Sequence, residues 1–90
     1  RTQETTDITL YLQPINLEKL HLDNNQIADV TPLKGMTKLI ELNLHNNQIV
    51  DVTPLKGMTK LERLTTYGNP IPATQKVMLR KALPKCEIVG

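Results

Sequence analysis

The sequence predicts an α/β solenoid: a short right-handed coil with parallel β-strands on the concave face, an irregular or 3₁₀ convex side and a C-terminal helical cap. Two observations lead to this fold class. A 22-residue unit occurs twice in succession, at residues 17–38 and 39–60, with 17 of 22 positions identical. Within each unit, leucines alternate with polar residues, as they do in a half-buried strand. Such units bury their apolar residues only by stacking on one another, so the repeat itself predicts a coil.

Each unit is predicted to contain one strand and one return path. The strand of the first unit lies around residues 20–22, where leucines flank a histidine. The return path is the shared sequence DVTPLKGMTK, in which Pro32 and Pro54 lack an N–H and fix φ. A short 3₁₀ turn or irregular backbone is therefore favoured over a long helix. We expect Gly35 and Gly57 to let the backbone turn tightly there.

An asparagine ends each predicted strand, at Asn25, Asn47 and Asn69. An amide side chain donates and accepts hydrogen bonds at once. We therefore expect these three side chains to satisfy backbone groups that are left bare where the chain turns inward. Contact with a ligand is the less favoured alternative.

Each unit reads L-x-x-L-x-L-x-x-N-x-I, a pattern that resembles the leucine-rich repeat. The 22-residue length followed by D-V-x-P-L is similar to the bacterial, internalin-like class of that family. The matching positions are Leu17, Leu20, Leu22, Asn25, Ile27, Leu39, Leu42, Leu44, Asn47 and Ile49, and then Leu61, Leu64, Asn69 and Ile71, with Thr66 in place of a leucine. The resemblance covers the chain from about Asp7 onward. It implies the solenoid fold and favours a secreted or cell-surface location, whereas the fold serves many unrelated partners.

The whole chain is predicted to be one leucine-rich repeat domain in five parts. These are an N-terminal partial repeat or cap at 1–16, full repeats at 17–38 and 39–60, a partial repeat at 61–72 and a C-terminal cap at 73–90. The N-terminal alternation at residues 8–12 indicates either a capping strand or the stub of a truncated repeat. The edge beside Leu20 and Leu22 would then be open, and strand pairing through it would produce a homodimer.

The C-terminal cap is predicted to be a helix over residues 73–83, ended by Pro84, followed by a short strand around residues 86–88. Helical spacing predicts a buried face formed by Val77, Met78, Ala82 and Leu83, flanked by Leu79. The solvent side would carry Lys76, Arg80 and Lys81. Cys86, the single cysteine, is predicted to be a small buried hydrophobe.

Composition disfavours several functions. The formal net charge of +2 gives no electrostatic case for nucleic acid or an anionic membrane. No apolar run approaches the roughly 20 residues of a membrane-spanning helix, so membrane insertion is not expected. No motif for a catalytic nucleophile, a phosphate loop or a zinc helix occurs, and no cofactor is expected. The exposed Glu41 and Glu62 lack an apolar pocket that would raise their pKa.

The differences between the two full repeats identify the candidate binding face. They fall at positions 18, 19, 21, 23 and 28 of the first copy, and 19, 21 and 23 alternate with the buried leucines. Stacked parallel strands would align these positions in three columns on the concave face: Lys19, Glu41 and Arg63; His21, Asn43 and Thr65; Asp23, His45 and Tyr67. Drift of a free surface and selection for a partner both account for this variation.

Three expectations concern the residues of these columns. The first alternates in charge and is predicted to form a surface ion ladder. Tyr67 is the strongest single contact candidate, since aromatic residues often anchor interfaces. The alternative is that Tyr67 shields the C-terminal core beside Thr66. His21, Asp23 and His45 have metal-ligand chemistry, but a fourth ligand is not apparent, so a solvated polar surface is favoured and no metal site is predicted.

These features lead to two functional hypotheses. The first is a protein-interaction module that binds a protein or peptide through the concave sheet. The alternative is a structural or assembly element without a ligand of its own: the C-terminal capping piece of a longer repeat array, or an engineered scaffold that self-associates. An enzyme is a distant third, because an open sheet lacks a deep cleft.

Overall fold

Within residues 17–90, four short strands form one parallel sheet in the order β1-β2-β3-β4, so strands that follow one another in sequence are also neighbours in space. The strands are β1 Lys19–His21, β2 Glu41–Asn43, β3 Arg63–Thr65 and β4 Glu87–Val89. The computed structural model describes residues 17–90. The expectations for residues 1–16, including the capping strand or repeat stub at residues 8–12, lie outside the described residues.

The 22-residue repeat sets the register of the sheet. Leu20 pairs with Leu42, Leu42 with Leu64, and Leu64 with Ile88. Leu42 and Leu64 are fully buried, whereas Leu20 at the β1 edge is only partly buried. One layer of apolar side chains therefore runs along the inside of the coil from strand to strand, as stacking of the repeats requires.

Each return path contains the predicted 3₁₀ turn. The first turn spans Thr31–Gly35 and the second Thr53–Leu55, and both have proline in their first positions. An aspartate precedes each turn: Asp29 Oδ1 accepts the Thr31 N–H at 2.9 Å, and Asp51 Oδ1 accepts the Thr53 N–H at the same distance. The apolar side chains of these paths close the core opposite the sheet. They are Val30, Leu33, Met36, Val52, Leu55 and Met58.

Left-handed backbone occurs at a place that the sequence did not predict. Gly35 and Gly57 do not adopt positive φ, because a 3₁₀ turn needs only ordinary right-handed backbone. The left-handed conformation instead occurs directly after each strand, at Asn24 and Asn46 with φ 61° and at Gly68 with φ 80°. Both return-path glycines therefore lie in turns as expected, Gly35 at the end of the first 3₁₀ turn and Gly57 just after the second, without needing positive φ.

The cap consists of α1, Ala73–Ala82, followed by β4. Leu79 and Leu83 are 2% and 4% exposed and point into the core, whereas Val77 is 51% exposed. The predicted buried face was therefore wrong at Val77, and Leu79 belongs to the core rather than to its flank. Leu79 and Leu83 are four residues apart and lie on one side of the helix, which leaves Val77 on the other. Lys76 is half-buried instead of facing solvent.

Cys86 lies between α1 and β4 and is half-buried rather than fully enclosed. Its Sγ contacts the carbonyl oxygen of the adjacent Glu87 at 3.7 Å. Burial raises the pKa of the Cys86 thiol, and the nearby negative charge of Glu87 acts in the same direction. The thiol form is thereby favoured, which fits the expectation of an inert apolar side chain better than a reactive one.

Candidate functional site

The sheet register forms the first two predicted columns. Lys19, Glu41 and Arg63 align across β1, β2 and β3, and His21, Asn43 and Thr65 align beside them. β4 extends these columns by Glu87 and Val89. We define the sheet face as the nine candidate residues, none of which is buried: Lys19, His21, Asp23, Glu41, Asn43, His45, Arg63, Thr65 and Tyr67.

In the first column, one ion pair forms along the column as β4 extends it, and Glu41 pairs with a side chain outside the column. Glu41 Oε2 lies 2.8 Å from Nε2 of His21, which is in the next column, and Arg63 Nη1 lies 4.0 Å from Glu87 Oε1. The hydrogen bond with His21 lowers the pKa of the Glu41 carboxyl, and the charges of Lys19 and Arg63 act in the same direction. Lys19, Glu41 and Arg63 therefore align as predicted, whereas the ion pairs predicted among these three residues do not form.

The third column forms a layer of packed side chains just beyond the strands. The rings of His45 and Tyr67 have centroids 4.8 Å apart and are tilted by 34°. On the other side, His45 Nε2 lies 3.8 Å from Asp23 Oδ2. Both ring nitrogens of His45 are buried and have no hydrogen-bond partner among residues 17–90. Tyr67 closes the column with half of its surface exposed.

The histidines and acids of the sheet face are brought close without forming a metal centre. His21 pairs with Glu41, while His45 faces Asp23, so the polar groups separate into two pairs. Within residues 17–90, no group of three or more His, Cys, Asp or Glu side chains has the geometry to hold a metal ion. In the same part of the chain, no helix is long and apolar enough to cross a membrane.

The strand-end asparagines serve the scaffold. The Asn47 amide donates to the carbonyl oxygens of Leu44 at 2.9 Å and Leu22 at 3.0 Å, and its Oδ1 accepts the Ile27 N–H at 3.0 Å. The Asn47 side chain thus connects its own coil to the preceding one. Their expected role in satisfying backbone groups is confirmed for Asn47.

The hydrogen bonds of Asn47 recur in full at Asn69 and in part at Asn25. Asn69 donates to Thr66 and Leu44 and accepts from the N–H of Ile49, which matches Asn47 bond for bond. Asn25 donates to Leu22 at 2.9 Å, but its buried Oδ1 has no donor among the described residues.

A second polar ladder, which was not predicted from the sequence, lies at the loop edge of the sheet face. Asn46 Nδ2 donates to Asn24 Oδ1 at 2.9 Å, and both residues have positive φ. At Gly68, the equivalent place in the third coil, an added Cβ would lie 2.1 Å from Asn46 Oδ1. Asparagine and glycine are the residues that most readily adopt left-handed backbone. The Asn-Asn-Gly series at this position was therefore the available signal.

Comparison with known proteins identifies the repeat. The family profile for paired leucine-rich repeats matches residues 15–57 and 37–75. A comparison with curated proteins finds no match.

Three solved structures illustrate the similarity of fold. Internalin C2 of Listeria monocytogenes is 37% identical over 92% of this chain, with a TM-score of 0.81. An internalin F structure from the same organism is 26% identical over 97% of the chain, also with a TM-score of 0.81. A leucine-rich repeat protein of Leptospira interrogans is 26% identical over 97%, with a TM-score of 0.71. The predicted fold class is confirmed.

The chain is much shorter than these structural neighbours. It spans 35% of the internalin C2 chain, 28% of the internalin F chain and 29% of the Leptospira chain. Their similarity therefore extends to a group of coils and not to the whole of either internalin.

Proposed function

Because this chain belongs to the leucine-rich repeat family, and within it to the bacterial, internalin-like class, we propose that it binds a protein or peptide partner through the sheet face. Proteins built on this repeat generally act by protein–protein interaction. This role requires an exposed, chemically varied surface on a rigid support and does not require a catalytic cleft.

The observation that carries the proposal is the distribution of differences between the two full repeats. The buried positions, the asparagines and the return-path sequence are the same in both copies, while three of the five differing positions lie in the sheet-face columns. Two of these positions pair across the neighbouring strands, Lys19 with Glu41 and His21 with Asn43. A surface that varies on a constant scaffold is what recognition of a specific partner requires.

The chemistry of the face supports contact with a polypeptide. Tyr67 presents an aromatic ring that is half exposed on one side and supported by His45 on the other. A ring held in this way loses little conformational freedom on binding, which makes it an effective anchor. The paired His21 and Glu41 add hydrogen-bonding groups one column away.

The size of the face limits the affinity. The four described strands, of three residues each, provide less than the roughly 800 Å² per partner of a standard interface. We therefore expect weak binding of a short segment by these coils alone, unless further coils extend the sheet.

The proposal is tested by selecting peptides from a random display library against the immobilised protein. Selected peptides are then measured against a triple variant, Lys19→Ala, His45→Ala and Tyr67→Ala. A matched control carries Gln26→Ala, Gln48→Ala and Thr59→Ala, which are exposed positions away from the sheet face. Loss of binding with the first triple variant and retention with the control is the expected result. Equal binding to both variants would exclude the sheet face.

The alternative function, a structural or assembly element, is favoured by partly buried leucines in the first coil of the described residues. Leu17, Leu20 and Leu22 are only partly buried, whereas their equivalents in the next coil are at most 1% exposed. Together with the Asn25 Oδ1, which has no donor among residues 17–90, they form an edge suited to one more coil. In this alternative, residues 73–90 are the cap of a longer array.

Self-association through the same edge would give a homodimer. It is tested by light scattering over a wide range of protein concentration. A monomer at the highest concentration would remove the self-associating scaffold and leave the cap of a longer array as the surviving form of the alternative.

A further inference from the structure

The convex side of the coil carries a set of exposed cations. Lys34 lies in the first 3₁₀ turn, Lys56 directly follows the second, and α1 packs beside the second turn with Arg80 and Lys81 toward solvent. We define the return face as these four residues. Among residues 17–90, none of the four lies within 4.0 Å of an acidic oxygen.

The sheet face differs, because Lys19 is its one basic side chain without an acidic oxygen within 4.0 Å in the described part of the chain. Its two acids lie near histidines, Asp23 near His45 and Glu41 near His21, and Arg63 lies 4.0 Å from Glu87 on the next strand. The two faces therefore differ in how far their charges are satisfied within the described part of the chain. On the sheet face the acids have local partners, and on the return face the cations have none.

The carboxylates nearest the return face accept hydrogen bonds from backbone N–H groups. Asp29 and Asp51 each accept the N–H of the threonine two residues later, and these bonds lower the pKa of both carboxyls. Asp51 lines a shallow groove together with Lys34, Lys56, Thr31 and Thr53. The groove thus contains two cations, two hydroxyl groups and one anion that already has a hydrogen-bond donor.

We propose that the return face is a second interaction surface, which binds an acidic peptide segment. Charge complementarity carries this assignment, because unpaired cations spread over adjacent elements attract a run of carboxylates. In an extended peptide, side chains on one side repeat roughly every 6.8 Å. Lysine ammonium groups on flexible stems adapt to such a spacing without bidentate geometry.

Two other anionic partners fit the surface less well. Single-stranded nucleic acid is held by aromatic platforms as well as by charge, and Tyr67, the aromatic residue of the described chain, lies on the sheet face. An anionic membrane surface is bound by amphipathic helices with several large apolar side chains. On α1, Val77 is the large apolar side chain that is strongly exposed.

The test measures the fluorescence anisotropy of a labelled octaglutamate peptide titrated with the full chain, at low salt and at about 150 mM salt. The return-face variant is Lys34→Glu with Lys56→Glu. The matched control is Lys19→Glu with Arg63→Glu, which changes the net charge equally on the sheet face. We expect the return-face variant to bind at least about tenfold more weakly, and the control to change by less than about threefold at the higher salt, because screening limits distant charges.

Circular dichroism of each variant verifies that it is folded, and Lys34→Gln with Lys56→Gln provides a neutral version whose affinity should be intermediate. Labelled single-stranded DNA and phosphatidylserine vesicles are titrated in parallel. Absence of octaglutamate binding, an equal loss in the sheet-face control, or tighter binding of DNA or vesicles would each overturn the proposal. The result is independent of the sheet face, because a peptide that requires Tyr67 would not respond to Lys34 or Lys56.

Discussion

At the scale of single residues, the asparagine at the end of a strand supports the scaffold through hydrogen bonds to backbone groups. Asn47 is 3% exposed and makes three short hydrogen bonds to backbone groups, two of them in the preceding coil. An apolar replacement of similar volume would leave the Ile27 N–H without its acceptor, while the Leu22 and Leu44 carbonyls would each lose one amide donor and keep the other. A buried backbone group without a partner is costly.

We predict that Asn47→Leu lowers the free energy of unfolding by roughly 1–3 kcal/mol, measured by urea denaturation. Asn25→Leu is the matched comparison, because Asn25 lacks a donor to its Oδ1 among the described residues and makes fewer bonds. We expect a smaller loss for Asn25→Leu. An equal loss at both positions would show that the bond between coils contributes little.

At the residue scale, side-chain contacts that backbone geometry dictates were predictable from the sequence. The role of Asn47 followed from its place at a strand end, since any turn there leaves backbone groups to satisfy. The ion partners of Glu41 did not follow, because His21 and Lys19 are both within reach and only the side-chain conformations decide between them. The stacking of His45 on Tyr67 likewise depends on ring orientations that a sequence pattern does not specify.

At the scale of elements, the turn after each strand requires a left-handed residue in a crowded place. Gly68 combines φ 80° with a Cβ position only 2.9 Å from the Asn46 backbone nitrogen. Gly57 lies beside the second 3₁₀ turn, and an added Cβ there would meet nothing within 4 Å. The two glycines therefore have opposite tolerances for a side chain.

We predict that Gly68→Ala destabilises the fold by roughly 1–3 kcal/mol and disturbs the bond between Asn46 and Asn24. Gly57→Ala should change stability by less than about 1 kcal/mol, with a gain allowed by the reduced freedom of the unfolded chain. Thermal unfolding of both variants provides the measurement. Equal melting temperatures for the two variants would contradict this account of the turn.

The aspartates before the 3₁₀ turns make stability depend on acid pH. The Thr31 and Thr53 hydrogen bonds lower the pKa of Asp29 and Asp51 below the ordinary value of 3.8. A group with a depressed native pKa adds stability above its unfolded pKa, and this stability is lost as pH falls through the native pKa.

We therefore expect stability to decrease as the pH is lowered through about 4 and below. Asp29→Asn with Asp51→Asn keeps an acceptor at each turn but removes the titration, so its unfolding free energy should depend less steeply on pH in this window. Urea midpoints measured from neutral pH down to strong acid test this. A double variant with the slope of the original protein would exclude these two carboxyls as the cause.

The elements themselves were largely predictable, and their orientation was not. The strands and 3₁₀ turns follow from leucine spacing and from Pro32 and Pro54, because these features act within a few residues. The phase of α1 depends on how the helix docks on the last coil, so Val77 and Leu79 were misassigned. The position of β4 as a fourth strand of the sheet depends on the same docking.

At the scale of the whole molecule, stability accumulates coil by coil. Each coil contacts its neighbours, through strand pairing, the asparagine bonds and contact between the 3₁₀ turns. In such an array the free energy of unfolding is approximately a sum of coil terms and neighbour terms. The length of the array is then a direct control on stability.

We predict that inserting a second copy of residues 39–60 after Lys60 raises the free energy of unfolding by about 1–3 kcal/mol, at the usual stability per residue of globular proteins. A scrambled 22-residue insert of the same composition at the same place is the control and should lower stability. Urea denaturation distinguishes the two. A destabilising true repeat would mean that the third coil and cap do not accept an internal coil as their neighbour.

The bonds that Asn47 makes to Leu22 and Ile27 have a consequence for local opening. If the coil of β1 detaches, Asn47 loses its Oδ1 donor and one of its two carbonyl acceptors while it remains in the coil of β2. Fraying of one coil therefore removes hydrogen bonds from the next coil and destabilises it, and the same loss can repeat from coil to coil along the array. Amide hydrogen exchange in the central coil of the array is thus coupled to whether the end coils remain folded. This coupling requires no side chain that reaches from one end of the array to the other.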